Sequence, residues 1–302
     1  MKLKYILLVA MLAASVPAFA CDACGCSMSQ AYWGLMPGNS RHYAGLWWQY
    51  QLYRSYFEQD VYPERGGVPE YFNTFELRGR YRLSKRLQAV ALLPYTYNLR
   101  GKAGEYGEVE GAGDVVALAS YTLFDNSDSL AFGLRHRLSA GVGVKMPTGR
   151  YRRREPFGQS NPNFQQGTGS WGLLLNLSYT VRMGKAGINL DGTYRTDNTN
   201  RYGYRYGNRF NGAANLFWLS RVGAVELMPN AGLLYEKAGW DVEDGYYHTS
   251  TGGEALFAGL GLEGYWGRFN LGVSWHLPVS QNLSNGLLEA EARGGLHFNF
   301  FF

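Results

Sequence analysis

Cysteine is missing from almost the whole chain. All three copies fall in Cys21-Asp22-Ala23-Cys24-Gly25-Cys26, and none follows. A disulfide framework running through the fold is therefore excluded. Long apolar runs are also missing. Beyond the first twenty residues nothing approaches the ~18 consecutive apolar residues that a spanning helix needs. No basic run suggests nucleic acid either. The net charge is +5, but the arginines are scattered, so nucleic acid is not an expected partner. No Pro/Ser linker and no shift in composition after about residue 43 marks a second domain. The 40 glycines have no three-residue period, and the hydrophobic content is 46%, which excludes collagen-like and disordered readings.

What is present begins with an export signal. Lys2 and Lys4 precede the short apolar stretch Tyr5 to Val16, and Ala18-Phe19-Ala20 has the small-x-small form of a cleavage site. The expected division is a signal peptide over 1–20, a Cys-rich segment over 21–42 and a single barrel over 43–302. A retained transmembrane helix at the start is the competing reading.

The strongest signal in the remainder is alternation of apolar and polar residues with period two. Leu173, Leu175, Leu177, Tyr179 and Val181 oppose Asn176, Ser178, Thr180 and Arg182. Ile188, Leu190, Gly192 and Tyr194 oppose Asn189, Asp191, Thr193 and Arg195. In the last strand Leu288, Ala290, Ala292, Gly294, Leu296, Phe298, Phe300 and Phe302 oppose Glu289, Glu291, Arg293, Gly295, His297 and Asn299. Such strands cannot bury both faces in an ordinary core. One face suits lipid and the other a wet lumen. The mean hydropathy of −0.27 agrees with a chain that is apolar on one face only.

Strands are predicted at 43–57, 69–83, 86–99, 112–124, 131–148, 169–183, 186–197, 206–219, 222–236, 252–266, 268–278 and 287–301. Short turns are expected at Ser84-Lys85, Asp125 to Ser129, Gly184-Lys185, Arg221 and Gly267. Long polar loops are expected at 58–68, 100–111, 149–168, 198–205, 237–251 and 279–286. The fold class is thus all-β: an antiparallel transmembrane β-barrel of about twelve strands in the bacterial outer membrane, with short turns and both termini in the periplasm. A soluble β-sandwich also alternates, but it rarely carries so many strands of ten or more residues. Phe302 resembles the C-terminal aromatic signature read by the barrel assembly machinery, an expected partner alongside outer-membrane lipid.

Three glycine-rich stretches carry a resemblance. Gly111-Ala112-Gly113-Asp114 opens one strand, Gly141-Val142-Gly143-Val144-Lys145-Met146-Pro147-Thr148-Gly149 closes the next, and Gly167-Thr168-Gly169-Ser170-Trp171 opens the third. The series resembles the outer-membrane family named for the MetA pathway of phenol degradation, over roughly residues 68 to 300. The resemblance implies a transporter or channel. The bland reading of the same glycines is that they mark strand ends and bends.

The cysteines look like the C-D-x-C-G-C start of uncharacterised bacterial outer-membrane proteins. Four readings stay open for Cys21, Cys24 and Cys26: a soft-metal site for copper or zinc, lipidation of Cys21, a disulfide such as Cys21–Cys24 or Cys21–Cys26, and a redox role. No other cofactor is expected. A periplasmic metal or redox protein is a candidate partner. Residues 27 to 42 read as a plug or tether at the barrel mouth.

If the alternation holds, Glu76, Arg78, Arg80, Arg82, Arg135, Arg137, Lys145, Asp191, Arg195, Arg209, Glu226, Glu263, His276, Glu289, Glu291, Arg293 and His297 line the lumen. Closure would set Glu289 and Glu291 near Arg78 and Arg80 as a ladder of ion pairs. Such charges either fill a structural interior or line a conduit for a polar solute. His136 falls on the apolar side of its strand. Trp47, Trp48, Trp218, Trp266 and Trp275 are expected in the aromatic girdles. No nucleophile setting surrounds Ser274, so an enzyme is not expected, and no plug domain suggests energised transport. The leading expectation is transport of a small solute, with a link to copper handling through the N-terminal cysteines. The alternatives are a non-transporting docking barrel and, behind it, an outer-membrane hydrolase.

Overall fold

A computed structural model describes residues 41–56, 67–102, 105–126, 133–151 and 164–302. Twelve antiparallel strands close on themselves. They are β1 (Tyr43–Ser55), β2 (Val68–Arg82), β3 (Leu87–Lys102), β4 in two pieces (Glu105–Ala112 and Val115–Asp125), β5 (Leu134–Met146) and β6 (Gly172–Met183). The remainder are β7 (Ala186–Asp197), β8 in two pieces (Arg209–Trp218 and Ser220–Val222), β9 (Val225–Ala238), β10 (Gly253–Trp266), β11 (Phe269–Leu283) and β12 (Leu288–Phe301). Each pairs with its sequence neighbours, and β12 pairs with β1 to close the ring. Closure leaves no sheet edge to satisfy, which is what permits a β-structure to sit in lipid.

At one end the strands are joined by tight turns. Gly184, Gly223 and Gly267 have φ of 58°, 61° and 59°, and the residue immediately following each does not have positive φ. That is the II′ hairpin, whose first central position asks for glycine and whose twist matches the strands. The eighth turn is Gly223-Ala224, not Arg221, which sits in β8 opposite Glu226. The other end carries the long connections.

Four of the predicted loops are in part strand. The segment Glu105–Ala112 pairs with β3 from Tyr95 to Lys102, so the 100–111 region is a hairpin extending beyond the barrel wall. Its glycines and charges resembled a loop because a ladder outside the membrane needs no apolar face. Likewise β11 runs on through Leu283 along β10. Inside the 237–251 loop, Asp241–Glu243 pairs with Tyr246–His248 and with Tyr204–Arg205 in a small separate sheet.

The outer face is a belt of exposed apolar side chains. Leu46, Leu77, Leu93, Val142, Leu173, Leu175, Leu177, Leu216, Leu260, Leu271, Val273 and Leu296 all lie open on it. A surface of that extent is unstable in water and suited to hydrocarbon. Tyr81, Tyr121, Trp218, Trp266 and Phe302 ring it near the tight turns, and Tyr95, Trp171, Tyr194 and Phe210 near the loops. Trp48 and Trp275 are also outward, but Trp47 is not a girdle residue. Its inward parity buries it at 6% exposure.

The alternation breaks where a strand carries an extra residue. On β12, Leu52 of β1 faces Ala292 while Tyr53 faces Ala290, so Glu291 is a bulge. One extra residue reverses the side on which every residue beyond it lies. Leu288 and Ala290 therefore point inward and are buried, and Glu289 is exposed.

Candidate functional site

The motif series converges on one point. Pro94, Gly113, Asp114, Lys145, Gly149, Gly167, Thr168 and Ser170 meet where β3 to β7 reach the loop end. Asp114 sits in the break between the two pieces of β4. Its carboxylate accepts from the backbone N–H of Gly149 at 2.9 Å, from that of Thr168 at 2.8 Å and from the Thr168 hydroxyl at 2.6 Å. Lys145, fully buried, reaches Asp197 at 2.6 Å, Asp114 at 3.6 Å and the Thr168 hydroxyl. Arg195 pairs with the other oxygen of Asp197 at 2.9 Å. The Thr148 hydroxyl donates to the Gly113 carbonyl and accepts from the Val115 N–H, both at 2.9 Å.

The glycines follow from this convergence. A Cβ on Gly149 would lie 2.7 Å from the Cα of Gly167, and one on Gly167 would lie 2.5 Å from an Asp114 oxygen. Only glycine lets the two backbones reach the carboxylate together. The cluster thus ties both ends of the β5–β6 loop to the barrel wall. Asp197, absent from the sequence-based set, completes it. Its only signal was its place on the inward parity of β7.

The tied loop delivers Phe164 to the interior. Phe164 is 1% exposed and packs edge-on against Phe72 of β2, with ring centroids 6.0 Å apart. Tyr53, Ala213, Leu234, Ala255, Phe257, Leu283 and Leu288 complete an inward apolar cluster contributed by β1, β2 and β8 to β12. Beside it Arg293 pairs with Glu236 at 2.7 Å, donates to the Tyr53 hydroxyl and lies 4.0 Å over the Phe257 ring.

Nearer the tight turns the inner wall is a stacked polar network. The Arg78 guanidinium lies 3.9 Å over Trp47, and Trp47 stacks on His297 at 4.1 Å. Arg78 also pairs with Glu76. The Trp47 indole donates to Asn299 at 3.0 Å, Asn299 donates to Asn270 at 2.8 Å, and Asn270 donates to Glu263 at 3.1 Å. Glycines let these side chains lie flat. A Cβ on Gly272 would meet the His297 ring at 2.1 Å, and one on Gly259 would meet His276 at 2.1 Å.

Of the residues expected to line the lumen, Glu76, Arg78, Arg80, Lys145, Asp191, Arg195, Arg209, Glu263, His276, Arg293 and His297 are buried inside the ring. Arg82 and Arg137 are half-buried toward the tight turns, where Arg82 donates to the Lys85 carbonyl at 2.9 Å and Arg137 lies 3.7 Å from Asp125. Glu226 is half-buried and Arg135 exposed at the same end. Glu289 and Glu291 are corrections. The bulge turns them away from the lumen, where Glu291 pairs with Arg54 at 2.7 Å and Glu289 accepts from Tyr56 at 2.8 Å. They do not meet Arg78 or Arg80, so the expected ladder across the closure is not formed. His136 bonds the Tyr179 hydroxyl at 2.5 Å, which accounts for its polar side chain on the outer parity. Cys21, Cys24, Cys26 and the 27–40 stretch lie outside the described residues.

No family model matches the chain, and no curated protein matches it. Among solved structures, an outer-membrane channel from Pseudomonas putida F1 superposes with a TM-score of 0.70 at 17% identity, over 89% of this chain and 100% of that one. The β-domain of the Bordetella autotransporter BrkA gives a TM-score of 0.49 at 14% identity, over 87% and 100%. The first likeness shows the fold, that of an outer-membrane barrel. A closed barrel of this fold with an apolar belt belongs in the bacterial outer membrane.

Proposed function

We propose that the protein is a passive channel for a small solute, narrowed by its β5–β6 loop. The observation that carries the reading is the tied loop that sets Phe164 inside the ring, where it closes an inward apolar cluster above the polar network. A barrel that only fills its interior has no need to anchor a loop with a buried lysine, two aspartates and two backbone-facing glycines. Most inner carboxylates are paired along the wall, so a solute meets mainly amide, hydroxyl and aromatic groups. Following the rule for bacterial barrels, the tight turns and both termini face the periplasm and the tied loop faces outside. The chain acts as a conduit and not as a catalyst.

Liposome swelling tests this. Liposomes carrying the mature protein are expected to admit small neutral sugars at rates that fall as the sugar grows. Swelling no faster than in protein-free liposomes would favour the docking barrel. A second reading, favoured by three thiols within six residues, adds a soft metal at Cys21, Cys24 and Cys26. It predicts near-stoichiometric copper or zinc in the purified protein, lost when the three become serine. Equal trace metal in both would remove it.

A further inference from the structure

Nearly every buried carboxylate on the inner wall has a positive partner. Glu70 pairs with Arg100 at 3.0 Å, Glu76 with Arg78, Asp114 and Asp197 with Lys145, and Glu236 with Arg293. Glu263 lies 3.8 Å from His297 and accepts from Tyr265 and Asn270. Asp191 differs. It is 5% exposed, and its hydrogen bonds come from the Asn176 amide, at 3.3 and 3.2 Å, and from Ser178. No basic side chain among the described residues pairs with it.

The register explains why. Asp191 faces Ser178 on β6 and Ala213 on β8. The inward positions one step away are Asn176 and Thr180 on β6, Asn189 and Thr193 on β7, and Asn211 and Asn215 on β8. All are uncharged. The nearest basic residue along β7 is Arg195, about 13 Å away at the usual strand rise, and Arg195 is engaged with Asp197.

The same patch has a surplus of acceptors. Asn176 spends its N–H groups on Asp191, the Gly192 carbonyl and the Thr193 hydroxyl. Its Oδ1 is buried and accepts no hydrogen bond from the described residues. A buried carboxylate beside an unmatched amide oxygen is a costly arrangement unless something positive completes it. Oxygen donors of this kind suit hard cations and ammonium groups, not anions or thiophilic metals.

We infer that Asp191, with the Oδ1 of Asn176, forms a monovalent-cation station on the β6–β7 wall of the lumen. The source is an alkali-metal ion or the ammonium of an organic solute. The inference rests on the channel reading for its role, but the site itself can be tested without conductance.

Crystals of the mature protein grown in rubidium chloride are expected to show an anomalous peak beside Asp191. The peak should vanish in Asp191→Asn and persist in Asp191→Glu. Competition separates the sources: methylammonium displaces the peak at lower concentration than potassium if an ammonium is the natural occupant. In planar bilayers under a potassium chloride gradient, Asp191→Asn should lower the potassium-to-chloride permeability ratio by about threefold or more, with Asp191→Glu unchanged. A peak without any conductance would keep the site and sink the channel. Conductance with no peak and an unshifted ratio in Asp191→Asn would overturn the site, marking Asp191 as a neutral structural acid, and keep the channel.

Discussion

Lys145→Met is expected to destabilise the barrel by about 3–5 kcal/mol, the cost of removing one partner from a buried ion cluster. The methionine has similar length and fills the space, so packing loss is small. What remains is electrostatic. Asp114 would keep its bonds from Gly149 and Thr168 but lose its cation, and Asp197 would keep Arg195 but lose its closest ion pair. Urea unfolding in lipid vesicles reads the effect. Adding Asp114→Asn to Lys145→Met should restore part of the loss, because the second change removes a charge that the first had stranded. The two effects are therefore less than additive. A Lys145→Met protein within about 0.5 kcal/mol of the parent would mean that the cluster is not closed in the membrane.

Phe164→Ala carries the second large effect. The ring is the one part of the β5–β6 loop among the described residues that enters the inner apolar cluster, where it meets Phe72. On the channel reading, removing it opens the inner apolar cluster, and hydrophobic constrictions limit flow by excluding water as well as by size. Unit conductance is expected to rise by about twofold or more. Barrel stability, read by heat-modifiable gel migration, should fall too, because the buried ring leaves a cavity in the inner cluster, so conductance is compared on folded protein only. An unchanged conductance would place the limiting zone elsewhere, the turn-end aromatic network around Trp47 and Tyr43 being next in line.

Much of this was legible in the residues, and the reasons are local. The alternation on β6 and β7 survives from end to end because no bulge interrupts either strand, so Leu173 to Val181 and Asn189 to Arg195 fall where period two puts them. The same rule fails on β12 below Arg293. A bulge has no side-chain signature, and Glu289 and Glu291 look equally polar on either face. Trp47 and Trp48 are adjacent and chemically identical, so only parity separates the stacked inner ring from the lipid-facing one. The glycine-rich series was visible as a motif. That its three parts share one carboxylate, and recruit Asp197 from a fourth strand, depends on long-range closure that no local pattern encodes. Phe164 had a weak signal, as an aromatic in the polar run Asn161-Pro162-Asn163-Phe164-Gln165. Asp191 was placed on the inner face by its parity, but its lack of a cation emerges only from the register of its neighbours.

Single-channel recording on the mature wild-type protein in planar bilayers tests the central claim most directly. A conduit narrowed by an anchored loop predicts discrete, uniform and small conductance steps. A protein that is folded by heat-modifiable migration, inserts into the bilayer and yet shows no steps at any applied voltage would contradict it, leaving a barrel whose paired inner charges serve structure alone.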